Sequence, residues 1–188
     1  MFEVELKARI RDRSSVVAAL AGLGVTGMKE AVYDDTYFDS LDRALSLSER
    51  ELRLRTVTGD VVRHILTYKE TPFDKASRSK PEYETSVDDP EAVKTMLAGL
   101  GYRPRISFVK ECLNASVRYQ DNDVLVTLVR MPELGTDFIE LEIMVGEQKR
   151  TKDTFLVLYG LADRLGICRT DMTSEYYSDM IRKARNGD

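Results

Sequence analysis

Glu3-Val4-Glu5-Leu6-Lys7 alternates charged and aliphatic residues with a period of two, which is the side-chain period of a β-strand. A strand here places Glu3, Glu5 and Lys7 on one face and Val4 and Leu6 on the other. Two neighbouring carboxylates suit a hard divalent cation such as Mg²⁺, and an ammonium one step further along suits the phosphate oxygens such an ion bridges.

Outward from this strand the alternation recurs. Strands are expected at Phe2 to Ile10, Val32 to Asp39, Glu51 to Val57, Val61 to Glu70, Lys80 to Val87, Ile106 to Glu111, Ala115 to Tyr119, Asp123 to Val129 and Phe138 to Val145. Helical periodicity marks Ser14 to Leu23, Pro90 to Leu100 and Thr151 to Leu165, followed by Gly24, Gly101 and Gly166 at positions suited to a helix stop. Asp89-Pro90 has the form of an N-cap followed by proline at the first helical position. Leu20-Ala21-Gly22-Leu23-Gly24 recurs as Leu97-Ala98-Gly99-Leu100-Gly101. Each copy ends a helix that follows an E-x-E strand, Glu3/Glu5 in one case and Glu82/Glu84 in the other. That degenerate repeat predicts two related halves of an antiparallel sheet with helices on the apolar side. Thr58-Gly59-Asp60 is expected to turn a hairpin, and residues Thr71 to Ser79 to form a mobile loop.

The 188 residues fit one domain, 1–188, with no linker to divide it. Two cysteines without CxxC spacing and the lack of a long apolar run predict a soluble, cytoplasmic protein that does not enter a membrane. A net charge of −4 argues against a dedicated nucleic-acid surface. There is no Ser-His-Asp or Cys-His arrangement. The single histidine, His64, alternates with Leu66 and Tyr68, away from the face carrying Lys69, and is read as a packing or surface residue. Tyr37 and Phe38 are read as wall residues, and the Lys149 to Lys152 cluster and the Arg182 to Arg185 tail as solvated surface.

Strand by strand, the charged faces carry Glu3, Glu5, Lys7 and Arg9; Arg53 and Arg55; Lys69; Glu82 and Glu84; Lys110; and Glu140 and Glu142. For any one pair the plain reading is a solvated sheet face. A sheet of this many strands tends to curl and close, however. A closed barrel with helices outside would confine these charges in a tunnel, where they must be neutralised by one another or by a ligand. The fold class expected is therefore α+β, a closed antiparallel β-barrel of about eight strands.

In order along the chain, the motifs resemble those of the CYTH superfamily, the triphosphate tunnel metalloenzymes. Glu3 to Lys7 is similar to the family's E-x-E-x-K, Asp35 to Asp39 to its D-x-Y-F-D, Leu52-Arg53-Leu54-Arg55 to its L-R-x-R, and Leu66-Thr67-Tyr68-Lys69 to its L-T-x-K. Glu82-Tyr83-Glu84, Leu134-Gly135 with Phe138 to Glu142, and Ser174 to Tyr177 resemble its later blocks. The resemblance implies Mg²⁺ or Mn²⁺ held by Glu3, Glu5, Glu140 and Glu142. It implies a triphosphate contacted by Lys7, Arg9, Arg53, Arg55, Lys69 and Lys110, with Glu82 and Glu84 either orienting the basic residues or completing the metal site. Glu5, Lys69 and Lys110 are the candidates for the catalytic step. The branch it looks most like is that of the class IV adenylate cyclases, which form cyclic AMP and pyrophosphate from ATP. Hydrolysis of thiamine triphosphate or tripolyphosphate is the alternative, and binding of nucleotide or polyphosphate without turnover is a third. A small-molecule triphosphate is the expected partner, and a homodimer is compatible with the pattern. Two departures stand out: the family's K-x-R is Lys110-Glu111-Cys112 here, and Val129 stands where the family has an aspartate.

Overall fold

The computed structural model describes residues 2–72, 80–146 and 151–187. Its strands are β1 (Phe2–Ile10), β2 (Lys29–Asp39), β3 (Glu51–Thr58), β4 (Arg63–Lys69), β5 (Lys80–Val87), β6 (Arg103–Tyr119), β7 (Asn122–Met131) and β8 (Thr136–Val145). They close into an antiparallel barrel in the order β1-β5-β4-β3-β2-β6-β7-β8. Helices α1 (Arg13–Gly22), α2 (Ala44–Leu47), α3 (Pro90–Gly99), α4 (Thr151–Arg164) and α5 (Tyr177–Asn186) lie outside the wall. None of the described helices is long and apolar enough to cross a membrane. Most of the expected loop Thr71 to Ser79, and Lys149 and Arg150 of the basic cluster, lie outside the described residues.

Alternation decides which side of the wall each residue serves. Val4, Leu6, Ala8 and Ile10 of β1 join Ile139, Leu141, Ile143 and Val145 of β8 and Val124, Val126 and Leu128 of β7 in one buried cluster. Val16 and Leu20 of α1 and Leu158, Leu161 and Ala162 of α4 cover it from outside. Burying this apolar face, at roughly 25 cal/mol per Å², is the main force holding the charged face inward. A smaller cluster of Phe38, Leu54 and Leu97 seats α3 on the opposite wall.

The repeated Leu-Ala-Gly-Leu-Gly is a helix stop. Gly24 and Gly101 take φ of 86° and 91°, a region that costs any residue with a Cβ. Val25 N–H then reaches Leu20 O at 3.2 Å, and Tyr102 N–H reaches Leu97 O at 2.9 Å, the same six-to-one bond at both ends. Gly166, at φ 74°, ends α4 with Ile167 N–H bound to Ala162 O at 2.9 Å. At the helix starts, Asp12 caps α1 through Ser14 N–H at 2.9 Å, and Asp89 caps α3 through Ala92 N–H at 2.9 Å.

One expectation is corrected. The separate strands Ile106 to Glu111 and Ala115 to Tyr119 are one strand, β6. Its inner face is buried over Ile106, Phe108, Lys110 and Cys112, and its outer face over Ala115 and Val117 under the helices, so the burial pattern changes phase while the backbone runs on. The basic tail is exposed, as expected, and it is helical. Arg182 to Arg185 belongs to α5, whose Tyr177, Met180 and Ile181 pack on the inward-facing Ile106, Phe108, Val129, Met131 and Phe138 and stopper that end of the barrel. Arg185 latches the helix by a paired contact to Glu133 at 2.8 and 2.9 Å and by a bond to Ser107 O at 2.7 Å.

The seam between β1 and β5 is short, with only Phe2↔Pro81 and Glu3↔Lys80 in register. Further along, the free edge of β1 is covered by residues preceding α5. Met172 bridges to Ala8, and Thr173 N–H donates to Lys7 O at 2.9 Å. This strap brings Ser174, Tyr176 and Tyr177 to the interior.

Candidate active site

The barrel encloses a cavity of about 760 Å³. Of the twelve inward candidates, eleven line it: Glu3, Glu5, Lys7, Arg53, Arg55, Lys69, Glu82, Glu84, Lys110, Glu140 and Glu142. Arg9 does not. Although it follows the same alternation, it lies past the stopper, exposed, with its guanidinium 5.7 Å from the Phe138 ring centre.

Register sets several of the cations beside an anion. Lys69 neighbours Glu82 on β5 and Glu51 on β3, Arg55 neighbours Asp35, and Lys7 neighbours Glu140. Arg55 grips Asp35 in a fork of 2.6 and 2.8 Å, and the Asp35 side chain has no exposed surface. Burial alone would raise this carboxyl, but Arg55, then Arg53 and Lys110, hold it far below the ordinary range. Lys110 Nζ lies 3.9 Å from Asp35 and 3.8 Å from Glu140. Lys69 pairs with Glu3 and, at 3.3 Å, with Glu82. Against the lowering effect of burial, these two carboxylates keep the Lys69 ammonium well above its usual value.

The acidic wall is less balanced. One carboxylate oxygen from each of Glu3, Glu5 and Glu142 lies within 4.8 Å of the others. Burial and then Glu140 raise Glu5, while burial followed by Glu3, Glu140 and Glu5 raises Glu142 well above the usual range. Carboxylates that resist ionisation because of one another are a set that a hard cation relieves, and all-oxygen donors match Mg²⁺ or Mn²⁺. Glu140 stands slightly apart, paired with Lys110 and lowered, against burial, by Lys110 and Lys7. In this geometry Glu3, Glu5 and Glu142 form the group that could hold a cation, and Glu140 sits with the basic wall.

The basic side has unused capacity. Arg53 is 9% exposed and reaches Thr67 at 3.2 Å and Glu84 at 3.5 Å through Nη2, yet its buried Nε has no acceptor among the described residues. Lys7 makes no ion pair among the described residues, and its ammonium rests 4.4 Å above the Tyr177 ring. Lys110 lies 4.9 Å from the centre of the same ring.

Several cavity residues escape the sequence reading. Glu51 and Lys80, an ion pair, extend the alternation two residues before Arg53 and Glu82, a signal present in the sequence. Tyr33 alternates with Asp35 and Tyr37, and its ring lies 4.4 Å from the Arg55 guanidinium. Tyr37 faces the cavity and stacks on Phe108 at 5.6 Å. His64 bonds Thr56 at 3.0 Å on the outer face, as its alternation suggests. Cys112 and Val129, the two departures, are direct partners across β6 and β7. Both lie in the apolar cluster beneath α5, where burial pushes the Cys112 thiol up to about 12. An apolar pair replaces two charges at once, so neither strand is left with an orphaned ion.

A protein of Methanocaldococcus jannaschii with a provisional adenylate cyclase name is 26% identical over 96% of this chain and 98% of its own. The adenylate cyclase CyaB of Aeromonas hydrophila is 27% identical over 97% of this chain and 90% of its own. Among solved structures, the PH1819 protein of Pyrococcus horikoshii superposes with a TM-score of 0.82 at 23% identity, covering 96% and 99% of the two chains. A Hippeastrum protein described as having a dominant triphosphatase activity superposes with a TM-score of 0.66 at 17% identity, covering 97% and 96%. The CYTH domain model matches residues 1–177, the whole barrel with its strap, and the chain belongs to that family.

Proposed function

We propose that the cavity binds a nucleoside triphosphate together with a divalent cation and cyclises it, converting ATP to cyclic AMP and pyrophosphate. The observation that carries this reading is the buried Nε of Arg53, a donor without an acceptor in a cavity whose other charges are largely paired. A phosphate oxygen satisfies it. Fully ionised, the lining sets seven lysines and arginines against seven glutamates. So balanced a cavity has no surplus positive charge to hold a triphosphate by itself, which is why a cation belongs in the site.

Glu3, Glu5 and Glu142 would hold the cation, which would supply positive charge against the phosphate oxygens. The protein's own groups do the rest. Arg53, Arg55, Lys69 and Lys110 hold the phosphate chain and stabilise the charge on the departing pyrophosphate. The 3′-hydroxyl oxygen bonds to the α-phosphorus as the bridge to the β-phosphate breaks, and its electron pair leaves with pyrophosphate. The hydroxyl proton passes to a cavity carboxylate. Glu82 suits that role, because burial and then Glu3, against Lys69, push it up to about 7. Water attacking the terminal phosphorus would instead make the protein a triphosphatase, the activity described for the Hippeastrum protein.

Incubation with ATP and Mn²⁺ or Mg²⁺ tests the assignment. Cyclic AMP and pyrophosphate are expected. Orthophosphate with ADP as the sole products would overturn cyclisation in favour of hydrolysis. Triphosphate-dependent thermal stabilisation without any product would leave a binding protein.

A further inference from the structure

We infer that Asn114 is a positioning residue for the basic wall, acting through Tyr33 on Arg55 and Lys110. The inference rests on the proposed triphosphate reading and adds what holds two of its phosphate-binding cations in place.

Across the inner face of β6 and β7 the pairs change character rung by rung. Cys112 and Val129 make an apolar rung beneath α5, and the next inward rung sets Asn114 opposite Thr127, a buried residue. Asn114 Oδ1 accepts the hydroxyl of Tyr33 at 3.0 Å and that of Thr127 at 3.0 Å, while Nδ2 donates to Lys29 O at 3.4 Å. A carbonyl oxygen has two lone pairs, so this one is fully used, and the main-chain carbonyl of Lys29 fixes which way the amide faces. Burial raises the Tyr33 hydroxyl above its ordinary value and keeps it a donor. Tyr33 lines the cavity, yet its proton is committed to the wall, and what it presents to the interior is its ring.

Two cations meet that ring. Tyr33 stands directly opposite Lys110 on β6, and its ring centre lies 4.4 Å from the Arg55 guanidinium and 5.8 Å from the Lys110 ammonium. Arg55 gives Nε and Nη2 to Asp35, which sets the direction of the fork, and the ring against it sets the tilt. An aromatic face orients a guanidinium without neutralising it, as a second carboxylate would. In a cavity that sets as many acids as bases, that difference keeps positive charge available to phosphate. Asn114 lies outside the cavity lining, so what it contributes to a bound ligand passes through the tyrosine.

Titration calorimetry with inorganic tripolyphosphate and Mg²⁺ on the full chain, Tyr33→Phe, Asn114→Leu and the double variant tests this. Each single variant is expected to bind about threefold to tenfold more weakly, and the double variant to match the weaker single one within about twofold. Losses that multiply in the double variant, or parent affinity in either single one, overturn the positioning role and leave the triphosphate site standing. A parent protein that binds no tripolyphosphate overturns both. A second readout, taken without ligand, is the Arg55 Nε–H proton resonance, displaced by the Tyr33 ring current and identified by its loss in Arg55→Lys. Asn114→Leu should move that resonance. If it stays in place, the effect of Asn114 does not pass through the ring to Arg55, and the proposal falls. Asn114→Ser, a smaller polar change, carries the same two readouts if the leucine variant does not fold.

Discussion

Glu5 and Asp35 are both acids inside the barrel, and they should respond oppositely to loss of charge. Glu5 is held above its ordinary value by burial and by Glu140, so its anion is already disfavoured in the folded protein. Glu5→Gln should therefore leave metal-free stability unchanged or slightly improved, while turnover falls by about 10²-fold or more and the rise in unfolding temperature with Mn²⁺ is lost. An undiminished Mn²⁺ shift would remove Glu5 from the cation site. Asp35 is the counter-charge of Arg55 and lies near Lys110, fully buried. Asp35→Asn strands those cations and should cost about 3–5 kcal/mol in urea unfolding. Asp60→Asn, which breaks the exposed Lys29–Asp60 pair at 3.0 Å, should change nothing measurable. A D35N midpoint equal to that of D60N would show that the buried fork is not holding the wall. The two acids are unequally legible in the sequence. Glu5 is visible because it alternates with Glu3 and Lys7, whereas the role of Asp35 depends on Arg55 lying opposite it on β3, a register that one strand's residues do not encode.

Elements are readable where one face stays buried throughout. The bounds of β1 coincide with its alternation because Val4, Leu6, Ala8 and Ile10 never change sides. β6 reads as two strands because it leaves the stoppered end and passes under the helices, exchanging its buried face on the way. α5 escapes notice because only Tyr177, Met180 and Ile181 are buried among arginines and lysines, too few apolar positions to distinguish a stopper from a solvated tail. The repeated helix stop, by contrast, can be tested glycine by glycine. Gly101 has φ of 91°, so Gly101→Ala should cost about 1–2 kcal/mol. Gly99, the last residue of α3, takes no left-handed φ, and a Cβ built there meets nothing within 4 Å. Gly99→Ala should stabilise by about 0.4–1 kcal/mol. Opposite shifts in thermal midpoint from two glycines two residues apart would confirm that the motif is a cap, and shifts of the same sign would refute it.

The whole molecule encloses opposed charges whose protonation depends on what occupies the cavity. Glu5, Glu142 and Glu82 are all raised from an ordinary value of 4.5, Glu82 to about 7. A group whose folded value is raised stabilises the fold below its unfolded value and loses that contribution as pH climbs through the folded one. Asp35, Glu3, Glu51 and Glu140 are lowered, and their contribution is present above the ordinary carboxylate range and lost as pH falls. Without metal, acid should therefore unfold the protein, and stability should also decline as pH rises from about 4.5 toward 7. A divalent cation should reverse the second trend, because at the proposed site it would bind the ionised forms of Glu5 and Glu142 and displace their protons. Affinity for Mn²⁺ should rise about tenfold per pH unit for each proton released. Calorimetry at about pH 6, between the ordinary carboxylate value and that of Glu82, in buffers of different ionisation enthalpy reads that release directly, since the observed heat must change with the buffer. In the same window the thermal midpoint of the metal-free protein should fall while that of the Mn²⁺-loaded protein holds or rises. Heats independent of buffer would mean that Glu5 and Glu142 are already ionised before metal arrives, and that the acidic wall is not a cation site waiting to be deprotonated.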